Sequence, residues 1–329
     1  MARGWAHVRS ASFFELSHAL SAFQAATVID PTCATGYAGV ALVRIAQAIV
    51  HDVPLVDAFG EAKAAALRAL ALDHGSADTQ VALGQVMFFG EWDWIGAERS
   101  FQRALAINPN HAEAYLHYGG LVEALGDLDR GFQLKRQGLE CDSTSALAHV
   151  LIGVSFWNQR RYDDVIVWVQ KALDRDPQHL FARELLGAAY WKMGDFERLL
   201  REDLKRAEAR CPNEEALAAF KQLCADILDV YHRDGYAAAH RCILEYRQRA
   251  GELLADGTER VERGNTSAGL VVQYAEVGDL DAAFEHLQRA IDAREPALVH
   301  LAVAPQWDSL RADPRFNECL ARMKLRPVL

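Results

Sequence analysis

Histidines could bind a metal ion in this chain, but their spacing does not favour a site. The sequence has 12 histidines and no His-Glu-x-x-His pattern. His111 and His117 are six residues apart, which on a helix places them about 240° from each other around the axis. His232 and His240 flank an Asp-Gly turn and could approach each other, but two ligands are too few for a zinc site. We therefore predict no metal and no other cofactor.

Nucleophilic and phosphate-binding motifs are also missing from the sequence. The segment most similar to a serine nucleophile turn is Gly153-Val154-Ser155-Phe156-Trp157, which lacks the final glycine and lies within a helical pattern. No Gly-x4-Gly-Lys loop occurs, and no Gly-x-Gly-x-x-Gly follows a strand pattern. We therefore predict no catalytic residue and no nucleotide site.

Aromatic side chains are the chemically informative residues that recur. They occur beside a second large or polar residue at Phe88-Phe89, Trp157-Asn158 and Trp191-Lys192. Large rings bind partners when they are exposed and fill cores when they are buried. A further cluster, Trp92-Asp93-Trp94, is interpreted as packing between two helices. Which role the three recurring pairs have depends on the elements that carry them.

A period of 34 residues organises the chain. Four kinds of marker recur at this interval: a helix-ending pair at Asn108-Pro109, Asp142-Ser143 and Asp176-Pro177; a glycine at Gly119, Gly153 and Gly187; a large residue at Val122, Phe156 and Tyr190; and a turn-like pair at Gly126-Asp127, Arg160-Arg161 and Gly194-Asp195. Such markers indicate two antiparallel helices joined by a short turn, with the glycine where the partner helix comes close.

These markers resemble the tetratricopeptide repeat (TPR), and the resemblance covers nearly the whole chain. It implies an all-α, right-handed solenoid of about eight helical pairs, which end near Thr32, Ser76, Ala112, Ala146, His179, Asn213, Gly257 and Ala297. The second and seventh pairs are irregular: a loop over 51–57 lengthens the second, and Gly235-Tyr236 marks the turn of the seventh. We predict a solenoid over residues 1–297 and a capping tail over 298–329 packed on it.

Two segments carry a narrower resemblance. Phe88 to Gly119 and Pro305 to Leu325 are similar to the repeat region of bacterial multidomain signalling proteins, where such an array follows a winged-helix regulator, an adenylate cyclase or a Ser/Thr kinase domain. None of these effector domains fits within this chain. Only Ala2 to Phe14 precede the second helix of the first pair, with Gly4 at the close-approach position. This truncation predicts that the natural product continues upstream into an effector domain.

The resemblance also implies where a partner would bind. In this fold the first helices of successive pairs line a concave groove, into which Phe88, Phe89, Trp157, Asn158, Glu184, Trp191 and Lys192 are expected to project. Two interpretations of the rings stay open. They are exposed anchors for a partner, or they pack across units or under the C-terminal tail. The Lys and Asn pattern of co-chaperone repeats that hold a C-terminal carboxylate is not present at these positions.

Composition excludes several classes of protein. The formal net charge is −10 at pH 7, which argues against a nucleic-acid partner. No secretory signal and no apolar stretch of membrane-spanning length is visible. The six cysteines include no Cys-x-x-Cys pair, which suits reduced thiols in the cytoplasm. We expect a cytoplasmic protein that does not bind a membrane.

Two functions from different classes follow. The first is a non-catalytic scaffold that binds a protein or peptide in an apolar, acid-rimmed groove, as a docking or sensor region of a bacterial signalling or regulatory system. The alternative is an enzyme or small-molecule receptor that uses the concavity as a pocket, with Glu184, Lys192, His149 and Asn158 pointing inward.

Overall fold

The chain folds into helices throughout the part that the computed structural model describes, which comprises residues 13–50, 53–210, 213–254 and 266–327. No strand occurs among these residues. The architecture is the right-handed, all-α TPR solenoid that the 34-residue period predicts. Within the described ranges, no helix is long and apolar enough to cross a membrane.

Consecutive helices form antiparallel pairs. In chain order they are α1 (Phe13–Ile29), α2 (Ala34–Ile49), α3 (Leu55–Leu72), α4 (Ala77–Gln85), α5 (Trp94–Ile107), α6 (Ala112–Ala124), α7 (Leu128–Cys141), α8 (Ala146–Asn158), α9 (Tyr162–Leu173), α10 (Leu180–Lys192), α11 (Phe196–Arg210), α12 (Glu214–Asp234), α13 (Tyr236–Leu254), α14 (Ser267–Glu276) and α15 (Leu280–Asp292). The helix α1 is the second member of pair 1. Each even-numbered helix from α2 to α14 then begins a pair, and the odd-numbered helix after it completes that pair.

The predicted pair boundaries agree with these helices to within a few residues, except near Gly257, which lies outside the described residues. The turn predicted at Gly235-Tyr236 is confirmed, because α12 ends at Asp234 and α13 begins at Tyr236. The loop over 51–57 is shorter than predicted, since α3 already begins at Leu55. His51 and Asp52 lie outside the described residues, as do residues 1–12 with Gly4.

A glycine followed by an aspartate makes the turn within several pairs. Gly126, Gly194 and Gly278 have φ angles of 102°, 75° and 86°, a left-handed conformation that glycine adopts without a Cβ clash. The next residue then caps the second helix: the Asp127 carboxylate accepts a hydrogen bond from the Arg130 amide at 3.1 Å. The turn-like pairs of the sequence are therefore a left-handed residue and an N-cap.

Close helix approach within a pair depends on the glycine in only some repeats. A Cβ at Gly119 would lie 2.6 Å from the carbonyl oxygen of Gly131, so α6 and α7 touch backbone to backbone there. A Cβ at Gly187 would meet Leu199 at 3.4 Å, which is an ordinary contact. The close approach that the sequence predicts at each of these glycines is therefore present at Gly119 and relaxed at Gly187.

Pair 3 departs from the regular pattern at the aromatic cluster. Here α4 continues as one turn of π-helix, Val86–Glu91, and the chain turns at Trp92 with φ 54° before α5 begins. Trp92 and Trp94 are both buried, which confirms their interpretation as packing residues. Phe88 and Phe89 lie within this π-turn.

The last described part of the chain, residues 294–327, is called the tail below. It contains two short 3₁₀ helices, Pro296–His300 and Pro305–Leu310, and the helix α16, Pro314–Arg322. Its apolar side chains, among them Leu298, Trp307 and Leu310, are buried. They belong to one continuous apolar core that also contains Phe88 and Trp157. The end of the chain therefore returns to the middle repeats.

Candidate functional site

The aromatic residues predicted to line the groove lie at equivalent positions, near the end of the first helix of their pairs. Phe88 lies in the π-turn after α4, Trp157 at the end of α8, and Trp191 at the end of α10. Their rings are 1%, 6% and 9% exposed. Of the two interpretations that the sequence left open, the rings follow the packed one and do not form an exposed row.

The neighbours of these rings differ in exposure. Asn158 is completely buried, whereas Phe89, Glu184 and Lys192 are half-buried. The rings are buried because the tail and the seventh and eighth pairs close over them, a long-range contact that the repeat period does not encode.

The tail covers the middle repeats one after another. Arg294 donates to the carbonyl oxygen of Glu91 at 2.9 Å, at the turn of pair 3. His300 donates to the Gly120 carbonyl oxygen of pair 4 at 3.2 Å. In pair 5 the Trp157 indole N–H donates to the side-chain oxygen of Gln306 at 2.9 Å. The tail thus follows the concave side across three successive repeats.

An arginine in the turn of pair 5 makes a two-point polar contact with the tail. The Arg160 Nε and Nη2 atoms donate to the two carboxylate oxygens of Asp308 at 3.0 and 2.6 Å. Its Nη1 donates to the carbonyl oxygens of Asn158 and Val303 at 2.7 and 3.3 Å. This two-point pairing fixes orientation as well as distance.

Trp191 is covered by the seventh and eighth pairs rather than by the tail. Its indole N–H donates to the Tyr236 hydroxyl, which in turn donates to Glu276 at 3.1 Å. The Lys192 ammonium lies 3.9 Å from the Trp191 ring centroid and 3.6 Å from a Glu276 oxygen. These residues connect pair 6 with pair 8 across the concave side.

A buried polar network lies beside Trp157. The Lys135 ammonium contacts Glu123 at 2.8 Å and donates to Ser155 at 3.2 Å. Ser155 donates to the same carboxylate, and the Asn158 amide donates to it at 3.0 Å. Burial lowers the pKa of Lys135, and the Glu123 charge opposes that shift. This network was not predicted; the available signal was Lys135 at the position where the neighbouring repeats carry Phe101 and Val169.

Two neutral histidines lie close to this ion pair. Burial, with the Lys135 charge as the second cause, lowers the pKa of His117 to about 4 and that of His300 to about 3. Each imidazole is therefore uncharged at neutral pH. A neutral ring suits the hydrogen bond from His300 to Gly120 and the contact of His117 with the Phe89 ring, whose centroid is 6.3 Å away.

These groups do not form a catalytic or metal-binding arrangement. Ser155 pairs with a carboxylate and a lysine in the core rather than with a histidine at an accessible surface. His232 pairs with Glu197 at 3.4 Å, and His240 contacts Gln273 at 3.0 Å, so the structure does not bring the two together. No group of three or more metal-ligating side chains occurs among the described residues.

One open pocket lies at the turn of pair 6, next to the three successive repeats that the tail crosses. Its volume is about 380 Å³, and it is lined by Met193, Gly194, Asp195, Phe196, Glu197 and Tyr231. Both of its carboxylates already pair with arginines, Asp195 with Arg198 at 2.9 Å and Glu197 with Arg201 at 3.4 Å. This pocket therefore offers no uncompensated charge to a ligand.

Comparisons with known proteins identify the fold. No protein-family model matches the chain, and no curated protein sequence matches it. Solved structures do. The human IFIT1 dimer with m7Gppp-AAAA is 15% identical, with 88% of this chain and 70% of that one covered and a TM-score of 0.54. An IFIT1 monomeric mutant with Gppp-AAAA is 16% identical over 87% and 69%, with a TM-score of 0.50.

A bacterial structure is similar over a shorter part. TTC0263, a TPR protein of Thermus thermophilus, is 15% identical, with 51% of this chain and 91% of that one covered and a TM-score of 0.46. At these identities the similarities concern the fold alone, and function has to be argued from the residues of this chain.

Proposed function

We propose that this protein is a non-catalytic interaction scaffold that binds a protein or peptide segment along its concave side. One observation carries the proposal. The concave side of pairs 3, 4 and 5 already accommodates an irregular chain segment, the tail, through side-chain contacts and backbone carbonyl groups of successive repeats. A surface that holds one irregular segment in this way has the shape and chemistry to hold another.

The predicted groove residues have defined roles in this proposal. Phe88, Trp157 and Asn158 form the floor on which the segment lies, while Phe89, Glu184 and Lys192 are half-buried at its margins. Burial is the main cause that raises the pKa of Asp203 in pair 6, and the nearby Glu184 carboxylate adds to that shift. We further propose a docking role in a bacterial signalling or regulatory system of the cytoplasm. The resemblance of Phe88 to Gly119 and Pro305 to Leu325 to such proteins supports that role.

The alternative of an enzyme or small-molecule receptor has less support. His149 and Asn158, two of the residues expected to point into a pocket, are buried. The His149 ring contacts the carbonyl oxygen of Ser145, the N-cap of its own helix, at 2.8 Å, and Lys192 pairs with Glu276. Each residue is thus engaged in a different part of the fold rather than converging on one reacting atom.

Affinity capture with the full chain, followed by hydrogen exchange of the resulting complex, tests the scaffold. We expect the partner to change amide protection in residues 86–91, 157–160 and 184–192 and in the tail. Protection changes confined to the convex helices α3, α5 and α9 would show that the concave side is not the binding surface. Failure to capture any stoichiometric partner from the source cell would argue against a scaffold.

A further inference from the structure

The tail contacts the solenoid with the regularity of a bound peptide. Arg294, His300 and Gln306 lie six residues apart, and each forms a hydrogen bond with the next repeat in the series. The last two of these residues, His300 and Gln306, each lie in a short 3₁₀ helix. The segment 294–310 therefore forms evenly spaced hydrogen bonds with three successive repeats.

Unusual backbone conformations are concentrated where the tail meets the solenoid. Among the described residues, four that are not glycine have a positive φ: Trp92, Arg160, Arg294 and Lys324, at 54°, 60°, 50° and 58°. Trp92 and Arg160 occupy the turn position that is glycine in pairs 4, 6 and 8. Left-handed residues with side chains persist where surrounding contacts hold them, and they cluster at functional contacts.

Arg294 and Lys324 lie at the two ends of the tail contact. Arg294 reaches Glu91, and Lys324 follows Met323, whose carbonyl oxygen accepts a hydrogen bond from the Trp94 indole at 2.8 Å. Arg160 and Arg294 thus make the contact between the tail and pairs 3 and 5 themselves, while Trp92 and Lys324 each adjoin a residue that does, Glu91 and Met323.

The contact also leaves buried polar atoms unpaired. The Asn158 side-chain oxygen has no hydrogen-bond partner although the residue is completely buried. The indole N–H groups of Trp307 in the tail and Trp92 in the solenoid also have no hydrogen-bond partner. A segment that supplied a donor to Asn158 would satisfy the groove better than the tail does.

We propose that residues 294–310 are an intramolecular ligand that occludes the groove, and that the groove binds, in competition with them, a peptide of another protein with the same recognition elements. Those elements are an apolar stretch, then a hydrogen-bond acceptor for the Trp157 indole, and two residues later a carboxylate for Arg160. This inference rests on the proposed scaffold function, and it names the chemistry of the partner.

Competition is physically reasonable because the tail is held by partly exposed polar contacts and must be ordered to bind. The side chains of Arg160 and Asp308 are 41% and 39% exposed, so water screens their attraction. Ordering the tail residues offsets much of the gain from burying their apolar side chains. Local opening of such a segment needs less free energy than unfolding the solenoid.

A labelled peptide of residues 294–310, added to the full-length protein, tests the competition. The tail double variant Gln306→Ala, Asp308→Asn weakens the intramolecular ligand and leaves the groove unchanged. We expect this variant to bind the peptide at least about tenfold more tightly than the wild type does. Equal affinity of the two proteins would overturn the proposal.

A second pair of variants tests the groove side in the background of the tail variant. Arg160→Ala should weaken peptide binding at least about tenfold, because it removes the two-point carboxylate contact. Arg161→Ala is the matched control, since Arg161 pairs with Asp164 and lies over the Phe156 ring, both within its own repeat, and should leave affinity unchanged. Equal effects of the two substitutions would refute the assignment of Arg160.

Hydrogen exchange of the wild-type protein provides a measurement that needs no variant. The amides of residues 296–310 should exchange through local opening, faster than those of α8. If they exchange only as slowly as α8, the tail is a permanent part of the core and the proposal fails. The scaffold function is judged separately, because a captured partner that protects the concave side without competing with the peptide would preserve it.

Discussion

Arg160 contacts the tail through its side chain although its backbone has a left-handed conformation that is unfavourable for a residue other than glycine. Its φ of 60° lies in the left-handed region that glycines occupy in the equivalent turns, yet its side chain binds Asp308 and two carbonyl groups. A non-glycine residue in this region costs about 1 to 3 kcal/mol. The contacts to the tail have to offset that cost.

Arg160→Gly and Arg160→Ala separate the two contributions. Both remove the guanidinium, but only glycine relieves the backbone. We expect Arg160→Gly to be more stable than Arg160→Ala by about 1 kcal/mol, measured by thermal unfolding of the two variants side by side. Equal melting temperatures would mean that the left-handed turn stores no strain.

We expect the buried ion pair between Glu123 and Lys135 to contribute more to the specificity of packing than to the free energy of unfolding. Lys135→Met leaves the Glu123 carboxylate buried without its cation, and we expect a loss of about 3 to 5 kcal/mol in the free energy of unfolding. The double variant Glu123→Gln, Lys135→Met removes both charges and should recover a large part of that loss. Urea titration of both variants measures the difference, and a double variant no more stable than Lys135→Met would contradict this account.

Within the helical pairs, the spacing between helices varies from repeat to repeat although the glycine marker does not. Gly119 touches the backbone of α7, whereas Gly187 leaves room for a methyl group against Leu199. The same substitution therefore has opposite expected effects in the two pairs.

Gly119→Ala should destabilise the protein by about 1 to 3 kcal/mol, because the new Cβ would lie 2.6 Å from a backbone oxygen that cannot move aside cheaply. Gly187→Ala should be neutral or stabilising by up to about 1 kcal/mol, because alanine favours the helix. Thermal unfolding of both variants provides the test. Similar losses in the two would show that pair 6 is packed as tightly as pair 4.

Among the described residues, six buried or half-buried histidines have a lowered pKa. Burial is the main cause that lowers the pKa of His117, His149, His179, His240, His286 and His300. Because their folded pKa values lie below the unfolded value near 6.5, the unfolded chain binds more protons as the pH falls. Stability should therefore fall as the pH decreases through this range.

Unfolding between pH 7.5 and 5.5 measures this dependence in a range where carboxylates contribute little. For His117 and His300, whose pKa values are lowered to about 4 and about 3, we expect a loss that approaches about 1.4 kcal/mol per pH unit for each once the pH is below 6.5. His300→Gln should reduce the slope, and substitution of the exposed His74 by Gln is the control. A flat profile would be incompatible with neutral buried imidazoles.

The helical pairs, their turns and the position of the rings within each repeat were determined by the sequence alone. These features depend on contacts between residues a few positions apart, such as the cap of Asp127 on Arg130 or the small residue at Gly119, and a 34-residue period repeats them. Even the irregular seventh pair was recognisable, because Gly235 ends one helix and Tyr236 begins the next.

Only the tertiary structure decided that the groove is occupied. Whether Trp157 faces water or Gln306 depends on how small rotations between successive pairs accumulate, and on whether the end of the chain reaches the middle repeats. Residues 148 positions apart, Arg160 and Asp308, then meet, and no local pattern encodes that distance. The same rings are anchors in an open superhelix and core in a closed one, because burial is a property of the whole molecule.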